Sequence, residues 1–157
     1  MLYSGNADGS DMHFQIGSRG RYVTFLPWQG FNQDHYNFEV GDGCLAALLR
    51  GQSDDGEKYL KFTPEAVKES TKKFMRRNAH QVIGDRIKGW PQVSFVLCCA
   101  TPCKDKIVEG GTGHAVRIAT HLKIPVLNIR VPGWEARLSL LVSQLVGRTA
   151  NFKASLK

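Results

Sequence analysis

The chain has 157 residues, 42% apolar and 22% charged, ordinary globular usage that points to a single domain over residues 1–157 and excludes disordered, collagen-like and coiled-coil readings. Lys and Arg number 21 against 14 Asp and Glu, and the resulting +7 favours anionic partners without separating a nucleic acid from a phosphorylated metabolite. No apolar run approaches the about 20 residues of a membrane helix, and Met1 to Asp11 lacks the basic and apolar segments of a signal peptide, so a cytoplasmic protein without membrane contact is expected.

Met1 to Tyr3 predicts a very short first strand running into Ser4-Gly5-Asn6-Ala7-Asp8-Gly9-Ser10-Asp11, whose small residues let backbone approach a ligand closely. A short helix near Ser10 to Gly17 follows. Arg21 to Leu26 is β-branched and aromatic and is stopped by Pro27, the pattern of a second strand. After a polar, aromatic excursion from Trp28 to Asp42, Cys44 to Arg50 reads as a short helix and Gly51 to Lys61 as an exposed connector. Thr63 then offers an N-cap and Pro64 a first helical residue. Val67, Phe74, Met75, Asn78 and Val82 recur at helical intervals, predicting a long amphipathic helix to about Ile83 with Gly84 as its stop.

Val93 to Cys99 is a continuous apolar run and predicts a central strand covered on both faces. A loop from Ala100 to Gly113 leads into a helix carrying Ala115, Ile118, Ala119 and Leu122 on one face, and Pro125 to Ile129 returns as a strand. Trp134, Leu138, Leu141, Val142 and Leu145 form the stripe of a last helix, to be packed on the sheet or across a dimer. The alternation predicts an α/β, three-layer Rossmann-like fold with a mostly parallel sheet and helices on both faces. In such sheets ligands bind beyond the carboxyl ends of the strands, where both Gly-rich loops fall.

The second loop, Glu109-Gly110-Gly111-Thr112-Gly113-His114, opens a helix, and the exposed N–H groups of such a start attract phosphate or another anion. It is neither a GxGxxG fingerprint nor a Walker loop. In the first loop Ser4, Asn6, Asp8 and Asp11 offer hydroxyl, amide and carboxylate groups to a ribose or a base. Arg76 with His80, and Arg77 with Gln81, are four apart, so each pair shares a helix face from which it could reach a phosphate. Trp28 could stack on a base or plug the edge of the core. The histidines and the four cysteines (Cys44, Cys98, Cys99, Cys103) show no metal-ligand spacing, no nucleophile motif is present, and no cofactor signature appears.

With these residues in view, the chain resembles the SLOG superfamily, the Rossmann-like group that joins DprA/Smf proteins, the LOG phosphoribohydrolases and many small phage and bacterial proteins. The resemblance is carried by Ser4 to Asp11, by Gly110-Gly111-Thr112-Gly113, and by Phe25 to Asn32 and Arg77 to Gly84, which look like the small single-domain members. It implies a nucleotide-type ligand across the two Gly-rich loops, and a homodimer or higher homo-oligomer. In the LOG enzymes the second loop carries a catalytic Glu, used together with an Arg from the preceding helix. Arg76 and Arg77 are candidates for that Arg, whereas Arg117 stands at the position of the Glu. A guanidinium there inverts the charge that would stabilise a ribosyl cation or activate water. The expectation is therefore a binder of a nucleotide or nucleotide-derived signal, acting as a sensor or, in a phage, as a counter-defence sponge. Two alternatives stay open: a nucleotide N-glycosidase using another acid such as Asp8, Asp11 or Glu109, and a DprA-like mediator bound to single-stranded DNA.

Overall fold

Three residues, Leu2–Ser4, form β1, and the eight-residue helix α1 (Ser10–Gly17) carries the chain back to β2 (Tyr22–Leu26), which lies parallel to β1 with Tyr3 opposite Val23. Parallel neighbours need such a crossover, and α1 supplies it. The structure is a computed structural model and describes residues 1–28, 31–32, 44–48, 58–59, 61, 68–86, 89–102, 108 and 110–155, by backbone alone over 44–48 and 148–155. Thr63 and Pro64, most of the Trp28 to Asp42 excursion and of the Gly51 to Lys61 connector, Cys103 and Glu109 lie outside the described residues; the long helix expected from Thr63 is corrected at Lys68, which is extended (ψ 153°) and caps a helix that starts only at Glu69.

Cys44–Leu48 corrects the expectation of a helix there. It is a strand, β3, paired in parallel with β2 from Tyr22 opposite Cys44 to Leu26 opposite Leu48. A short apolar run such as Leu45-Ala46-Ala47-Leu48 is ambiguous between helix and strand by periodicity, and the open edge of β2 decides it. With β1 and β3 on its two sides, β2 is the middle strand of its sheet, and Val23, Thr24, Phe25 and Leu26 are all buried. The continuous burial expected of Val93 to Cys99 is found here instead. The Val93 N–H bonds the carbonyl of Val82, so the start of that run leaves the sheet. Only Val96–Cys98 (β4) is a strand, paired in parallel with β5 (Val126–Asn128).

Helix α2 (Glu69–Ile83) packs on β1 and β2 and most extensively on α3 (Gly110–His121), which lies against β4 and β5. Ala79 and Val82 of α2 thus share one buried cluster with Ile118, Ala119 and Ile124. The helix ends where expected, at Gly84, whose φ of 73° turns the chain while its N–H bonds the His80 carbonyl at 2.9 Å. Phe25 knits β2 to the turn that follows, its ring 5.8 Å from Trp90 and 5.4 Å from Tyr3. The last helix, α4 (Trp134–Ser155), touches β5. Trp134, Leu138, Leu141 and Leu145 are half-buried, whereas Leu140, Val142 and Val146 face solvent. No helix among the described residues is long and apolar enough to cross a membrane. The architecture is mixed α/β with parallel strand pairs.

Candidate functional site

The first loop is organised by its own side chains. Ser4, buried at the end of β1, accepts hydrogen bonds through Oγ from the Asn6 N–H (3.4 Å) and from Gln15 Nε2 (2.7 Å). Asn6 takes a left-handed conformation (φ 55°), which Asn tolerates better than most residues. Its Nδ2 donates to the carbonyls of Phe31 (3.3 Å) and Asn32 (3.5 Å), and Asn32 returns the bond from its own Nδ2 to the Asn6 carbonyl at 2.8 Å. Asp11, in the first turn of α1, accepts the Gly5 and Ala7 N–H groups on a single oxygen, Oδ2, at 3.2 and 3.1 Å. Asp8 is exposed in the turn between loop and helix.

Against this loop lies Arg77, which is 6% exposed. Gly5 is the residue that admits it: a Cβ there would collide with Arg77 Nη1 and stand 2.9 Å from Gln81 Oε1. The Arg77 and Gln81 face of α2 is therefore the one turned to the first loop. The guanidinium lies 3.6 Å from Asp11 Oδ2 and over the rings of Phe31 and Phe74, with centroids 5.8 and 5.6 Å away. Phe31, Phe74 and the partly exposed Trp28 meet edge to face at 5.0 to 5.5 Å. Among the described residues the Arg77 guanidinium makes no hydrogen bond, and its buried Nε has no partner. Burial lowers its pKa from the ordinary arginine value, and Asp11 opposes that effect. Arg76, one residue earlier, turns away and bonds Glu69 Oε1 at 2.8 Å.

The next residue, Asn78, reaches the other loop. Its Nδ2 donates to the Gly111 carbonyl at 3.0 Å, so Arg77 and Asn78 hold the two Gly-rich segments against one turn of α2. Gly110, Gly111 and Thr112 are exposed in the first turn of the twelve-residue α3, where amide groups lack intrahelical acceptors and the helix dipole favours an anion. Gly113 is buried; a Cβ there would collide with the Val108 carbonyl and come within 3.2 Å of Arg117 Nη1.

The two histidines of the expected site are core residues. His80 is 2% exposed, stacks 5.6 Å from Phe25 and bonds the Gly84 carbonyl through Nδ1 at 2.7 Å, which secures the end of α2. His114 is fully buried; its Nε2–H donates to the Tyr59 carbonyl at 3.1 Å, and its Nδ1 has no partner among the described residues. Burial holds its pKa below the ordinary histidine value; the Tyr59 carbonyl opposes this and Arg117 adds to it. Cys98 is buried with its thiol pushed up to about 11 by burial and by Cys99, which removes it as a nucleophile at neutral pH.

Sequence reasoning missed four contributors. Asn78 falls at an apolar position of its helix, and a polar residue in such a stripe is the signal of a buried hydrogen bond. Phe31 carries no such signal, because an aromatic beside an arginine in space need not be near it in sequence, whereas Phe74 stands three residues before Arg77 and so shares its helix face. Asn128 ties the carboxyl ends of β4 and β5: Nδ2 donates to the Ala100 carbonyl at 2.7 Å, and Oδ1 accepts the N–H groups of Ala100 (3.3 Å) and Arg130 (3.1 Å). No protein-family model matches the chain, and no curated protein and no solved structure does so.

Proposed function

We propose that the chain is a cytoplasmic binder of a nucleotide or nucleotide-derived signalling molecule, held between its two Gly-rich loops, acting as a sensor or sponge. The observation that carries this reading is Arg77: a guanidinium buried against Gly5, stacked on two aromatic rings, with no hydrogen bond among the described residues. A buried charge so incompletely matched is costly, and the acceptor atoms of a bound ligand supply what the guanidinium lacks. The neighbouring Asn78 holds the exposed first turn of α3, the place for the ligand's anionic group, and the partly exposed Trp28 offers its ring to a base.

The fold proposed with this function is the three-layer Rossmann-like one. Placing β4 beside β1 gives the order β3-β2-β1-β4-β5, whose reversal falls between the carboxyl ends of β1 and β4, the usual place for a ligand in open α/β sheets. Kinship with the SLOG superfamily, on the resemblance of the loops, belongs to the same proposal. A hydrolytic role is disfavoured by Arg117 at the position of the family's glutamate and by the engagement of Asp11 with two backbone amides and Arg77.

The test is native mass spectrometry of protein purified from cells, followed by denaturation and identification of what is released. A stoichiometric, intact nucleotide derivative is expected. Protein that emerges empty and binds no nucleotide on titration overturns the reading.

A further inference from the structure

We propose that Asp11 is a built-in anion: its carboxylate fills the oxyanion cradle of the first loop and so directs the loop to a neutral, hydrogen-bonding part of the ligand while refusing phosphate. The inference rests on the functional reading above for the existence of a ligand, and on its own geometry for the selection.

Backbone N–H groups two residues apart, with a left-handed residue between or beside them, form a concave nest that binds anions. Gly5 and Ala7 present such a pair around Asn6, at φ 55°. Both aim at the same atom, Asp11 Oδ2, at 3.2 and 3.1 Å, and Arg77 Nη1 faces that atom from the α2 side at 3.6 Å. One oxygen thus has two amides and a guanidinium around it, the surroundings a phosphate oxygen would take. The buried Nε of Arg77, unpartnered among the described residues, is a second mark of an anion site, because this single carboxylate leaves part of the guanidinium unmatched.

A phosphate entering the cradle would meet a like charge at contact distance, a juxtaposition that suppresses its binding. The anionic group of a ligand is thereby left to the first turn of α3, and the first loop keeps for the rest of the ligand the groups that carry no net charge. Asp11 acts here as a specificity-determining residue, and no bond is made or broken by it.

The experiment titrates inorganic phosphate into the wild-type chain, Asp11→Ala, Asp11→Asn and the double variant Asp11→Ala/Arg77→Gln, following binding by calorimetry and folding by circular dichroism. Asp11→Ala gains a phosphate site at least about tenfold tighter than any in the wild type, a change of about 1.4 kcal/mol. Asp11→Asn, which keeps the size and an acceptor and so guards the loop against collapse, gains it more weakly, and Arg77→Gln abolishes the gain. Folded variants that bind phosphate no better than the wild type, or a gain that survives Arg77→Gln, overturn the proposal. Because the probe is phosphate, a gain in Asp11→Ala stands even if no nucleotide binds the wild type, so the two readings fail separately.

Discussion

Arg77 and Asn78 are consecutive in α2, yet their side chains secure different loops, the guanidinium against Gly5 and Asp11 and the amide on the Gly111 carbonyl at 3.0 Å. Substituting them separately separates affinity from stability. Arg77→Gln is expected to weaken ligand binding by about ten- to a hundredfold, the loss of one charge-assisted hydrogen bond. Asn78→Ala is expected to lower the unfolding free energy by about 1 kcal/mol through the lost bond to Gly111. Calorimetry with the released ligand checks the first and urea denaturation the second.

Glycine replacements at the two loops are expected to differ in kind. At Gly5 an added Cβ meets the far end of a side chain, so Gly5→Ala displaces the Arg77 guanidinium and abolishes binding at small cost in stability. At Gly113 it meets the Val108 carbonyl, a backbone atom that cannot swing aside. Gly113→Ala therefore costs about 1–3 kcal/mol, in the range of overpacked cores. Thermal melts of the two variants beside one binding assay decide between these outcomes.

Thr112 is exposed in the first turn of α3, and Thr112→Asp places a carboxylate where the helix dipole welcomes it. Stability is expected to hold or rise by about 0.3–1 kcal/mol, while the new charge competes with an anionic ligand and weakens its binding. A variant that binds the ligand as tightly as the wild type would remove the α3 terminus from the site.

Stability is expected to fall as the pH drops below about 6.5, the ordinary histidine value, because of His114. Burial depresses its folded-state pKa, so the unfolded chain takes up the proton first and the unfolding free energy declines between the ordinary value and the lower folded one. Below the folded value this contribution is flat. Denaturation midpoints of the wild type and His114→Gln, compared from pH 8 to pH 5, check it; the variant loses the part of the slope that belongs to this residue.

Much of the fold was legible because local signals and tertiary context agree. Glycines bracket α1 at its predicted limits, Pro27 ends β2, and Gly84 stops α2. Where they diverge, context prevails. Cys44–Leu48 has no alternation to mark it as a strand and becomes one by pairing with β2, while Val93 is drawn from its apolar run by a bond to Val82. In the site, glycine spacing exposed both loops, and the four-residue spacing of Arg77 and Gln81 exposed the helix face behind the first. The choice between Arg76 and Arg77, and the burial of His80 and His114, depended on the rotation of α2 and α3 within their packing, which periodicity gives only to within a residue.

The reciprocal bonds of Asn6 and Asn32 have a dynamic consequence. Two segments 26 residues apart in sequence are fastened into one body, and both asparagines hold left-handed backbone that a free chain would seldom visit. The freedom of the first loop is therefore surrendered when the chain folds, and a ligand arriving later has little of it left to quench. Association should then resemble a key entering a cut lock, with a modest entropic penalty and an arrival rate governed by diffusion and charge more than by loop rearrangement.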